Sequence, residues 1–160
     1  MQLMHNPHIL ILGIGNILLA DEGVGIHIVR ELQKLSLPSC VEVIDGGTGG
    51  FELIEYVRGK DKVIIVDAVK MSLPAGTIVT FELDDLTTQT WEPLSVHQGG
   101  LTEFLRACME LYPRPEVVVY AVVPQETNLM SMDLTDAVAR QVPSIVGHIL
   151  SEATASLPAG

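Results

Sequence analysis

Apolar residues along this chain fall into short unbroken runs, and between the runs they recur at helical spacing. Residues 8–14, "HILILGI", read as a strand buried on both faces. Val24, Ile28, Leu32 and Leu35 then share one side of a predicted helix, with His27, Arg30, Glu31 and Lys34 on its wet side. "VEVID" at 41–45 is a second strand, followed by the loop "GGTGG" and a helix that buries Leu53, Ile54 and Val57. "KVIIVDAV" at 62–69 is a third strand, and "GTIVTFEL" at 76–83 alternates as a strand at a sheet edge does. A polar loop through Trp91 and Pro93 leads to a helix over about 100–112 and the strand "EVVVYAVV" at 116–123. The closing helix, roughly 133–150, contains Pro143, which should kink it or split it at Val142.

Strands alternating with helices predict an α/β fold: a single three-layer domain over residues 1–150, with a twisted, mainly parallel sheet flanked by helices on both faces. Residues 151–160, "SEATASLPAG", read as a flexible tail. In such sheets ligands bind at the carboxyl ends of the strands, and that rule selects the residues to consider.

Composition narrows the function. The chain has 160 residues, 48% of them apolar and only 4% aromatic, which suits a Val/Ile/Leu core. A formal net charge of -11 repels phosphate backbones and anionic lipid, so nucleic-acid and membrane partners are not expected. "MQLMHNPH" has no Lys or Arg ahead of its apolar run, and glycines soon interrupt that run, so neither a signal peptide nor a membrane span is expected. Two cysteines give no disulfide framework and point to the cytoplasm.

"GIGNIL" matches the first two glycines of a dinucleotide fingerprint, but Leu18 occupies the third position and two acids follow. A tight strand-to-helix turn explains Gly13 and Gly15 better than a nucleotide does. Asp21 reads as a helix cap, and Glu22 alone would read as a dipole partner. Asp45 and Asp67, however, close two further strands, and together with Glu22 they would crowd one rim with negative charge. His97 in "SVHQGG" precedes the next helix, so Glu22, Asp67 and His97 would form a mixed oxygen and nitrogen site for a divalent transition metal. Cys40 and Cys108 read as packed and unreactive. "GGTGG" reads as a mobile loop that could grip an extended substrate.

In order and at these spacings, "LGIGNILLADEGVG", "VIDGGTGG", "VIIVDAV" and "SVHQGGL" resemble the hydrogenase maturation endopeptidases, across nearly the whole chain. The resemblance implies a cytoplasmic protease, a monomer, that removes a short C-terminal extension from the large-subunit precursor of a nickel-iron hydrogenase after nickel insertion. It implies Glu22, Asp67 and His97 as metal ligands, and places Asp45 with Gly46, Gly47 and Thr48 near the substrate cleft. Two mechanisms fit. Either the metal activates water, with Asp45 as base, or the three ligands engage nickel already held by the substrate, which makes the metal a recognition signal; the second is preferred because three ligands without a thiolate make a weak resident site. A non-catalytic nickel-binding assembly chaperone and a general metal-dependent aminopeptidase or amidase are the alternatives.

Overall fold

The three inner strands of the sheet are apolar on both faces and the two edge strands are not, and the architecture shows why. The structure is a computed structural model that describes residues 5–85, 101–155 and 157–158. Strands β1 (Ile9–Gly13), β2 (Val41–Asp45), β3 (Lys62–Ala68), β4 (Ile78–Glu82) and β5 (Glu116–Val122) form one sheet in the order β2-β1-β3-β5-β4. All neighbours are parallel except β4, which runs antiparallel to β5 at the sheet's edge, as its alternating pattern predicts.

Alternate residues feed two cores. Leu10, Leu12, Val63, Ile65 and Val119 pack on one side with Ile54 and Val57 of helix α2 (Ile54–Val57) and Phe104, Leu105 and Cys108 of helix α3 (Leu101–Met109). Ile9, Ile11, Ile64 and Val66 pack on the other with Val24, Ile28 and Leu32 of helix α1 (Val24–Gln33). Layers on both faces are what make β1 and β3 read as unbroken apolar runs. Helix α1 stops at Gln33, so Leu35, predicted on its apolar stripe, lies beyond the helix and is exposed.

The closing segment is split, as Pro143 requires. Helix α4 (Asp136–Ala139) ends ahead of helix α5 (Val142–Ala155), and Pro143 occupies the first turn of α5, where a missing N–H breaks no hydrogen bond. The predicted tail begins later than residue 151. Ala153 is buried against the second core, and this burial carries the helix five residues further. Trp91 and Pro93 lie outside the described residues. Among the described residues no helix is long and apolar enough to cross a membrane.

Helix α1 sits unusually close to the sheet. A Cβ on Gly25 would stand 2.4 Å from the Val66 carbonyl oxygen and 2.5 Å from that of Ile14, both main-chain atoms. Only glycine permits this approach, and it sets the first turn of α1 directly on the carboxyl ends of β1 and β3. The acidic turn before α1 therefore reaches the same rim as Asp67.

Candidate active site at the carboxyl ends of the strands

The turn leaving β1 doubles back on itself. Gly15, at φ +151°, donates its N–H to the Gly47 oxygen at 2.9 Å, and its missing Cβ would lie 2.0 Å from the Glu22 oxygen. The same Glu22 oxygen accepts the Asn16 N–H at 3.1 Å. The glycine is needed because the chain crosses itself, which agrees with a tight turn rather than a phosphate loop. Residues Ala20–Gly23 form a 3-10 turn, and Glu22 on it is half-buried.

Asp67, the next-to-last residue of β3, is 1% exposed. Its Oδ1 accepts the Ala68 N–H at 2.8 Å, whereas Oδ2 is buried with no hydrogen-bond partner among the described residues. Burial pushes this carboxyl well above the ordinary range, the charge of Glu22 pushes it further, and the Ala68 hydrogen bond opposes both. Two of the predicted ligands are thus brought together, from the turn after β1 and from the end of β3. A buried carboxylate oxygen lacking a partner beside a second carboxylate requires a proton or a cation, so the donor set fits a metal ion. His97 lies outside the described residues, and among those described no group of three or more His, Cys, Asp and Glu is arranged to hold a metal.

Asp45 is differently placed. It ends β2, paired in register with Gly13, and its Oδ1 accepts the Gly47 N–H at 3.0 Å while Oδ2 lies 3.7 Å from Arg30. The loop expected to be mobile is pinned at its start: Gly46 donates to the Gly13 oxygen at 2.8 Å, and Gly49 to the Gly46 oxygen at 3.0 Å. With these N–H groups engaged, the front of "GGTGG" is a built turn that continues from Asp45 toward Thr48. Cys108 is buried, and burial pushes its thiol up to about 12; Cys40 is partly exposed, and both are free. A thiol nucleophile has no support in either.

Asp21 departs from its expected role. Neither the 3-10 turn nor α1 has a side-chain cap, and Asp21 is fully buried. Its Oδ2 accepts from the N–H groups of Gln125 (2.9 Å) and Glu126 (3.0 Å) and from the Thr135 hydroxyl (2.7 Å), and its Oδ1 accepts the Thr135 N–H at 2.8 Å. An acid capping its own helix would bond two or three residues ahead; these donors lie more than a hundred residues away, in the segment after β5. Nothing local in the sequence announces them.

Comparison with known proteins bears on the family and the fold. The family model described as "Hydrogenase maturation protease" matches residues 26–152. A relative from Escherichia coli (strain K12), "Hydrogenase 2 maturation protease", is 34% identical over 146 residues, covering 89% of this chain and 88% of that protein. The "Hydrogenase expression/formation protein HupD" of Thiocapsa roseopersicina is 39% identical over 127 residues, covering 77% of this chain but only 57% of that longer protein. Among solved structures, the "hydrogenase maturating endopeptidase HybD from E. coli" superposes with a TM-score of 0.79 at 27% identity, covering 93% of each chain. The predicted fold is the one these peptidases share, and the chain belongs to the hydrogenase maturation protease family.

Proposed function

We propose that this peptidase removes the C-terminal extension of a nickel-iron hydrogenase large-subunit precursor after nickel insertion, and that Glu22, Asp67 and His97 recognise nickel carried by that substrate. The observation that supports the reading is Asp67: a buried carboxylate oxygen lacks a partner among the described residues, beside the charge of Glu22. A fold tolerates such an atom when something else completes it, and an incoming cation does so. His97 stands four residues ahead of Leu101, where α3 begins before descending to the start of β5. As a ligand set without a thiolate, the three residues bind weakly at rest, which suits a checkpoint. Asp45 is the candidate base, and the turn through Gly46, Gly47 and Thr48 beside it is the candidate peptide grip. The free cysteines suit the cytoplasm, and we take the chain to act as a monomer.

The test is loss of the C-terminal peptide from purified precursor, read by mass spectrometry with and without nickel. Wild type is expected to cut only the nickel-loaded form, and Glu22→Ala and His97→Ala to cut neither while remaining folded. Cleavage by both variants at the wild-type rate would refute the ligand assignment. Retention of the peptide by wild type would favour an assembly chaperone, and cleavage of small peptides without any precursor would favour a general aminopeptidase or amidase.

A further inference from the structure

Asp67 lies one residue short of the end of β3, the middle strand of the sheet, which has β1 on one side and β5 on the other. The turn after β1 and the segment after β5 meet across it, and Asp21 is the joint. Besides the four hydrogen bonds accepted by its side chain, the Asp21 N–H donates to the Glu126 oxygen at 3.0 Å. The Ala20 N–H donates to the Ser131 oxygen at 2.8 Å, and the Ser131 N–H to the Leu18 oxygen at 2.9 Å. Ala20 is the one described non-glycine residue at positive φ, 48°, a conformation held by these bonds on either side. Thr135, which supplies two of the donors, is also the residue immediately ahead of α4. The turn that carries Glu22, whose own N–H and oxygen bond to Leu19 and Asn16 within it, is therefore tied through its neighbours Ala20 and Asp21 to a strap that follows β5.

We propose that Asp21 is a positioning residue for the candidate site: its buried carboxylate locks the 124–135 segment to the turn of Ala20–Gly23 and so sets where Glu22 stands relative to Asp67. The inference rests on the ligand reading of Glu22 and goes beyond it by assigning the neighbouring acid. Asparagine at position 21 keeps the shape but replaces one acceptor with an amide donor, which faces other donors. Groups that orient a metal ligand are worth about 10–100-fold in affinity or activity.

The test measures KM and kcat for processing of the nickel-loaded precursor, in the full chain. Asp21→Asn is expected to raise KM about 10–100-fold, and Thr135→Val, which removes only the hydroxyl donor, to raise it by a smaller factor. A merely structural role lowers the folded fraction, which lowers the apparent kcat and leaves KM alone. Because Asp21 acts through Glu22, Asp21→Asn should add little in a Glu22→Gln background. Unchanged KM in both Asp21→Asn and Thr135→Val, or multiplicative losses with Glu22→Gln, would overturn the proposal. If Asp21→Asn does not fold, Thr135→Val alone decides in the same cycle. Wild-type KM in Glu22→Gln would instead refute the ligand reading on which the proposal stands.

Discussion

Replacing Asp67 by Asn should change how stability depends on pH. In the unfolded chain this carboxyl titrates at about 4, whereas burial and then the Glu22 charge raise it well above that in the folded protein. Between the two values the folded state holds a proton that the unfolded state has lost, so wild-type stability falls as pH rises. The full slope is about 1.4 kcal/mol per pH unit. For a chain of 160 residues that is about 3–5 °C of unfolding midpoint per unit. Asparagine keeps a carbonyl for the Ala68 N–H, and carries no proton to lose. Groups that titrate alike in both proteins cancel in the difference. The midpoint of Asp67→Asn minus that of wild type should therefore climb from about pH 4 upward and level off once the folded carboxyl has ionised. Thermal melts of both proteins across pH 4–8, with chelator present, measure it. A difference that stays flat, or that shrinks as pH rises, would refute the reasoning. The stabilised variant should also fail to process precursor, since it lacks the carboxylate.

Two further outcomes separate roles at the rim. Asp45→Asn keeps an acceptor for the Gly47 N–H and loses only a partly exposed pair with Arg30, so stability should move by less than about 1 kcal/mol. If Asp45 is the base, precursor processing should nonetheless fall by about 10²–10⁴; unimpaired processing would remove it from the chemistry. With its thiol held up to about 12 and buried, Cys108 should resist alkylation at pH 8 in the native protein, while the half-exposed Cys40 reacts. Peptide mass mapping after brief iodoacetamide treatment distinguishes the two, and labelling of Cys108 ahead of Cys40 would contradict the packing.

The parallel sheet was legible because strands buried on both faces need no polar alternation, and β1 and β3 have none. Pro143 was legible because its consequence is local. Asp45 and Asp67 stood out as acids closing apolar runs, and the rule for ligand placement in α/β sheets connected Glu22 to Asp67. What stayed hidden is what depends on distant partners. The burial of Ala153 extends α5 into the expected tail, main-chain bonds from β1 pin the glycine loop, and the donors to Asp21 come from the segment after β5, more than a hundred residues along the chain. Local propensity assigns Asp21 to its own helix; tertiary hydrogen bonding overrides it.

The two described acids proposed as nickel ligands are held by different means, and the difference bears on what can adjust. Asp67 is fixed by register: it is paired with Ala121 of β5, one residue beyond Val66, where the ladder with β1 ends, so moving it would break the β3–β5 ladder. Glu22 is fixed by a turn whose anchors are the Gly15 crossing, the close seat of Gly25 on Val66, and the Asp21 strap. The first two anchors lie within the β1–α1 unit and its β3 neighbour, while the strap alone reaches the segment after β5. A change in how that segment is held, by substitution or by contact with a protein substrate, therefore reaches the turn of Glu22 through Asp21, whereas it reaches Asp67 only through the β3–β5 ladder. A response of the site to its substrate should then appear as a larger displacement at Glu22 than at Asp67, with Asp21 carrying it.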